Sequence, residues 1–189
     1  MLLILFAGCA SNSTRNRGSN VTTITINEGE RIAEARRLAA QAQTTKDPAE
    51  AVRLYRRSVA AWADFPAAWN NLGVLLLDQQ QYLGAAEAFQ SAAERSATDP
   101  RPLYNLGLTW ERTRHLQEAQ EQYARALDLD PRYLPALRGV IYAQDRLGIV
   151  DDQTLARLRI ALLRENEQKW RAYFEMRKIS AEAEIAEQQ

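Results

Sequence analysis

Among 189 residues there is one cysteine, Cys9, and one histidine, His115, so the reactive side chains are quickly weighed. A lone cysteine cannot close an internal disulfide and has no companion ligands for zinc, which leaves acylation as its specific use. His115 lacks a neighbouring cysteine, serine motif or carboxylate cluster that would make it a general base, and it reads as a solvated turn residue. Neither a glycine-rich phosphate loop nor a metal-ligand spacing occurs in the sequence. An enzyme, a cofactor and a metal are therefore not expected, and the chemistry to look for is recognition. Charge narrows the partner: 24 basic side chains balance 24 acidic ones, giving no pull toward nucleic acid or an anionic membrane surface.

Recognition needs a surface, and a repeat lays one down. Leu38, Leu72 and Leu106 recur at a fixed offset of 34 residues. The same step relates Ala51, Ala85 and Ala119, then Tyr55, Phe89 and Tyr123, then Ser58, Ala92 and Ala126, and also Gly73 with Gly107. A period of this length, with small and large apolar positions in this order, marks a two-helix unit that cannot bury its own face and stacks on its neighbours. Gly73 and Gly107 lie inside apolar helical patterns, where glycine costs about 1 kcal/mol relative to alanine, so close helix approach must compensate. Ala85 and Ala119 precede Phe89 and Tyr123 by four residues, on one helical face. The small residue leaves room at the crossing and the ring fills the next layer.

Caps place the helices. Asn27 with Glu30 fits a capping box, and Asp47-Pro48-Ala49-Glu50 sets an N-cap, a first-turn proline and an N3 carboxylate in order. Further starts are expected near Asp64-Phe65-Pro66, Asp99-Pro100 and Asp130-Pro131, giving antiparallel helices of about 12 to 15 residues joined by short turns. With 46% hydrophobic and 25% charged residues, the composition is that of one globular domain with a tail.

These residues resemble the tetratricopeptide repeat family. Its pattern is read at Trp69, Leu72-Gly73, Leu76, Ala85 and Phe89, and again at Leu103, Leu106-Gly107, Trp110, Ala119, Tyr123 and Pro131. With Leu38, Ala51, Tyr55 and Ala126 they form the expected core. In the first copy Ala35 and Ala39 stand at the Trp69 and Gly73 places, and a fourth copy matches only in its A helix, at Leu137, Val140 and Ile141, with Gln153 and Arg157 in the B-helix places. The resemblance implies an all-α, right-handed α-solenoid of antiparallel helix pairs, three repeats and a divergent fourth half. It also implies a concave groove lined by the A helices, with Arg36, Asn70, Val74, Tyr104, Leu108, Arg138 and Tyr142 facing a protein or peptide partner. Asparagine offers donors and acceptors to a peptide backbone and arginine makes charge-assisted bonds to carboxylates. A carboxylate clamp like that of chaperone-binding repeats would use Arg36, Asn71, Arg101 and Asn105. Ala40 and Asn105 depart from that clamp, and ordinary solvated side chains are the alternative reading.

The two ends carry other signals. Leu2 to Ala7 form an apolar run ending in Gly8-Cys9, too short for the roughly 20 residues a bilayer requires. Ala7-Gly8-Cys9 resembles a bacterial lipoprotein signal whose cysteine becomes the acylated first residue, although Phe6 stands where leucine is preferred and no basic n-region precedes it. An apolar N-terminus whose Cys9 has no role is the alternative. Ser11 to Asn20 contain no apolar residue and read as a flexible linker, and Val21 to Ile26 as an extended arm or an unstructured segment. The expected organisation is thus a signal at 1–9, linker and arm at 10–26, solenoid at 27–150 and a C-terminal helix and tail at 151–189. The lipoprotein resemblance implies the bacterial envelope and, without an aspartate after Cys9, the periplasmic face of the outer membrane, in an assembly factor or scaffold. A cytoplasmic adaptor or co-chaperone that binds peptide tails is the alternative.

From Asp151 onward the pattern reads as one long capping helix, with Leu155, Leu158 and Leu162 on a stripe. Trp170, Tyr173, Phe174, Met176 and Ile179 form a dense group beyond it. It either folds back on the last repeat or forms a partner or self-association surface. Ser180 to Gln189 read as a fraying helix or a solvated tail.

Overall fold

The computed structural model of the chain describes residues 27–187, so Cys9 and the expected signal, linker and arm lie outside them. Among the described residues the regular structure is entirely helical: α1 (Glu28–Thr44), α2 (Pro48–Ala61), α3 (Pro66–Asp78), α4 (Tyr82–Glu94), α5 (Arg101–Arg112), α6 (Leu116–Leu129), α7 (Leu134–Leu147), α8 (Thr154–Arg164) and α9 (Gln168–Glu187). Each helix packs on the next in sequence, and α5 also meets α3 and α7. Four hairpins therefore stack in a row as an α-solenoid, with α9 beyond the last.

The caps work as the sequence indicates at the first two starts. Asn27 accepts from the Glu30 amide at 2.9 Å while Glu30 accepts from the Asn27 amide, and Asp47 accepts from the Ala49 amide ahead of Pro48. At the last expected start the chain differs. The Asp130 amide still donates to the Ala126 carbonyl and closes α6, so Asp130-Pro131 belongs to a turn, and α7 begins at Leu134 with Pro135 in its first turn. Pro131, expected in the core, is accordingly exposed.

Two apolar clusters fill the stack. One runs from α1 to α5 through Leu38, Tyr55, Leu72, Phe89 and Leu106, and the other from α5 to α9 through Tyr123, Leu137, Ile141, Leu158 and Phe174, with Trp110 packed against both. Ala85, Ala119 and Ala126 are fully buried between helices. Ser58 occurs in the alanine series because its hydroxyl, equally buried, donates to the Ala35 carbonyl at 2.7 Å. The glycines are required by close approach. A Cβ on Gly73 would stand 2.6 Å from the Phe89 ring, and one on Gly107 would stand 2.7 Å from Tyr123. Gly139, which lies off the 34-residue step, packs on the opposite edge of Tyr123, and a Cβ there would stand 2.6 Å from the ring.

The fourth unit is a full hairpin rather than an A helix alone. Gln80, Arg114 and Gly148 succeed one another at 34-residue steps, and all have left-handed backbone, with φ of 59°, 66° and 66°. In each turn the next amide donates back to the helix, Gln81 to Leu76, His115 to Trp110 and Ile149 to Gln144, at 2.8, 2.9 and 2.9 Å. The second helix, α8, buries Leu158 and Ala161 completely. Its apolar positions have moved relative to the other repeats, and at the entry to the helix the Gln153 backbone amide and the Arg157 guanidinium both donate to Asp151.

The single long C-terminal helix expected from the sequence is two helices, broken where Glu165 leaves α8 with extended backbone and turns its carboxylate toward Arg138. Phe174 is buried and Trp170 and Tyr173 pack against the second cluster, so the aromatic face folds back, while Met176 and Ile179 remain exposed. The tail is ordered helix as far as Glu187: Ala181 is fully buried, and the Arg177 guanidinium pairs with Asp145 at 3.0 Å and Glu184 at 2.8 Å.

Candidate functional site

On a helix, residues four apart share a face. Asn70 and Val74 on α3, Tyr104 and Leu108 on α5, and Arg138 and Tyr142 on α7 therefore make two rows across the A helices, each row advancing by 34 residues. Val74 and Tyr142 are exposed, whereas Asn70, Tyr104, Leu108 and Arg138 are half-buried along the same surface. The structure thus assembles six of the seven expected groove residues on three neighbouring helices. Arg36 on α1 is exposed and sits over the Trp62 ring at 5.9 Å.

Polar contacts lock part of this surface. The Asn105 amide donates to Asn70 across α3 and α5 at 2.9 Å, and the Asn71 amide donates to the Tyr55 hydroxyl at 3.2 Å. The four residues of the expected clamp do not act as a set. Asn105 is engaged by Asn70, Arg36 by Trp62, and Arg101 by the Asp99 carboxylate at 2.7 to 3.1 Å. The Arg101 guanidinium holds the Asp99 carboxyl below the usual carboxylate range.

Arg138 lines the groove, but its charge is already matched. Its guanidinium donates to both oxygens of Glu165 at 2.8 Å and to Glu167 at 2.6 Å, and it lies over the Trp170 ring at 5.1 Å. This geometry corrects the sequence expectation that Arg138 is an available grip for a partner's carboxylate. Glu165 is almost wholly buried, and the Arg138 hydrogen bonds hold its carboxyl below the ordinary range.

Two clefts open in equivalent register. One, of about 320 Å³, is lined by Gln43, Lys46, Tyr55, Asn71 and Val74 among others. The other, of about 330 Å³, is lined by Tyr104, Leu108, Glu111, Tyr123, Arg138, Gly139, Tyr142 and Trp170. In the second the Tyr123 hydroxyl donates to Glu111 at 2.8 Å, and the Tyr104 ring lies 5.8 Å from both Tyr123 and Tyr133. Burial pushes the Tyr104 and Tyr123 hydroxyls up from their ordinary range. Glu111, Gly139 and Trp170 line this cleft, a place the sequence pattern did not assign to them. A signal existed for Glu111: Gln43, Leu77 and Glu111 fall on one 34-residue series, and only the last is acidic.

Among the described residues no group of histidine, cysteine and carboxylate side chains could hold a metal ion, and no helix is long and apolar enough to cross a membrane.

Comparison with known proteins gives relatives of the same architecture. Residues 100–133 match the family model of the tetratricopeptide repeat. Human Protein O-mannosyl-transferase TMTC3 is 31% identical over 112 residues, which is 59% of this chain and only 12% of that protein. Among solved structures, YrrB, a TPR protein with an unusual peptide-binding site, superposes with a TM-score of 0.62 at 15% identity, covering 85% of this chain and 78% of that one. The first TPR of Spaghetti (RPAP3), bound to an HSP90 peptide, superposes with a TM-score of 0.59 at 17% identity, covering 62% of this chain and 96% of that one. At such identities the likeness is one of fold.

Proposed function

We propose, from the premise that this chain is a tetratricopeptide-repeat protein, that it is an interaction scaffold which holds an extended segment of a partner protein along the concave face of α3, α5 and α7. The observation that carries this reading is the double row of Asn70, Val74, Tyr104, Leu108 and Tyr142, polar and aromatic side chains presented side by side by helices whose other faces are buried. Aromatic and aliphatic rows interrupted by amides suit a peptide whose backbone must be paired while its side chains enter clefts. The peptide-binding site of YrrB and the HSP90 peptide on the RPAP3 domain support a peptide or partner segment as ligand.

The test is photo-crosslinking from an unnatural amino acid at position 108, combined with Leu108→Asp and Tyr142→Ala. Both variants are expected to retain the wild-type helical signal and Tm within about 2 °C while partner capture falls by about tenfold or more. Capture at wild-type strength by both would move the interface to the convex face or to the exposed side of α9.

The Ala7-Gly8-Cys9 motif supports a lipid anchor, with the scaffold tethered at the bacterial envelope on the periplasmic side of the outer membrane. Lipid labelling and fractionation of the protein expressed from its native upstream region should show a labelled, membrane-associated wild type and an unlabelled Cys9→Ala. An unlabelled, soluble wild type would leave the cytoplasmic adaptor as the account of where this groove works.

A further inference from the structure

The groove does not offer the same chemistry along its length, and the difference between its two clefts identifies what the partner must bring. The clefts are one design used twice. Tyr55, Asn71 and Gln43 in the first correspond, two repeat steps on, to Tyr123, Gly139 and Glu111 in the second. In the first, the Asn71 amide donates to the Tyr55 hydroxyl at 3.2 Å. In the second, glycine replaces that asparagine and packs so close to the ring that a Cβ there would stand 2.6 Å from it, and the tyrosine hydroxyl turns instead to a carboxylate, Glu111. At the intervening step, between the two clefts, Phe89, Asn105 and Leu77 supply neither a phenol nor a charge.

Glu111 is half-buried, accepts from Tyr123 on one oxygen, and forms no ion pair among the described residues. The cation in the cleft lining, Arg138, already faces two carboxylates, Glu165 and Glu167, so that group as a whole adds negative rather than positive charge. Arg112 is exposed outside the lining, and Lys169 lines a neighbouring apolar cleft that shares Tyr142 and Trp170. What remains is a cleft lined by the Glu111 carboxylate together with Tyr104, Tyr142 and Trp170. Aromatic faces attract cations through their quadrupole, and a planar guanidinium can stack on such a ring while its edge forks onto a carboxylate.

We propose that this cleft takes a basic side chain of the bound segment, arginine foremost, with Glu111 as its counter-charge. This rests on the groove reading above and specifies the ligand class as a peptide with an arginine or lysine at a fixed place, the opposite charge to that of a carboxylate-clamp ligand. The asymmetry also orients the peptide, because only the fourth-repeat end of the groove can neutralise a cation.

The experiment is selection of a displayed random 12-residue peptide library on the full chain, in parallel with Glu111→Gln, which keeps an acceptor for Tyr123 while removing the charge. Selection on wild type is expected to enrich arginine or lysine at one position. In a synthetic peptide from that pool, replacing the arginine by citrulline should weaken binding about tenfold against wild type and less than twofold against Glu111→Gln. Tyr142→Ala, altering an exposed wall, should weaken the arginine peptide more than its citrulline form. Selected peptides without an enriched basic residue, or an equal citrulline penalty against both proteins, would overturn the assignment. If such peptides still lose binding to Leu108→Asp, the groove reading survives and only the cation site falls; if they ignore Leu108→Asp, both fall.

Discussion

Gly107→Leu should cost about 3 kcal/mol or more and lower the Tm by about 10 °C, seen in thermal unfolding monitored by circular dichroism. The direction is not obvious from propensity, since replacing a mid-helix glycine normally gains up to about 1 kcal/mol. Space decides it. A Cβ at Gly107 would stand 2.7 Å from two atoms of the Tyr123 ring and 3.1 Å from the Ala119 carbonyl. The ring cannot retreat, because Gly139 packs against its other edge, where a Cβ would stand 2.6 Å away, and its hydroxyl is held by Glu111. Tyr123 is thus clamped between two helices and is 1% exposed. Gly107→Ala should show the same sign at smaller size, and adding Tyr123→Leu to it should restore part of the loss. A neutral or stabilising Gly107→Ala would show that the helices shift apart easily, and that the glycine is not there for packing.

Arg138→Ala should destabilise the fold by about 3 kcal/mol at neutral pH. That figure is the lower end of the cost of removing one partner from a buried ion pair, because the arginine side chain is itself 25% exposed. The damage comes from Glu165, which is left with its side chain 1% exposed and no guanidinium. The pH dependence separates this cause from lost packing over Trp170. In the wild type the folded-state value of Glu165 lies below its ordinary 4.5, so the pair contributes fully above about pH 4.5 and fades as pH falls through the lowered value. Urea titrations of the wild type and Arg138→Ala should therefore diverge most near neutrality and approach each other in acid. A difference that stays constant down to about pH 3 would assign the effect to the lost contact with the indole. Charge reversal at Arg138, for the same reason, is a folding variant and cannot report on partner binding.

Much of the fold was legible because packing layers repeat with the chain. Phe89 and Tyr123 each need a glycine opposite and an alanine four residues before them, so three positions per unit vary together and the period stands out. Gly139 is hidden because it serves Tyr123 from the next unit, at a place where the earlier units carry Asn71 and Asn105. The second half of the fourth unit was hidden for a related reason: α8 buries Leu158 and Ala161 on a shifted register while Gln153 and Arg157 satisfy Asp151. Within the candidate site the two rows of groove positions come from register alone. What could not be read was which charges were already matched. Arg138 and Glu165 are 27 residues apart, on opposite sides of a turn-and-helix excursion that no local pattern predicts, and the helix break at Glu165 exists for that contact.

The left-handed turn residues bear on how the groove would meet a ligand. Gln80 and Arg114 adopt backbone that costs an ordinary residue about 1 kcal/mol relative to glycine, yet their φ of 59° and 66° stand beside the 66° of Gly148. Three different side chains reach one conformation, so the flanking helices impose the turn and the turn does not set the helices. The angle within each hairpin is then a property of the packed stack, and the A-helix rows stand ready before any partner arrives. A ligand entering such a preformed trough meets little reorganisation of the protein, and the ordering entropy of association falls almost entirely on the incoming segment.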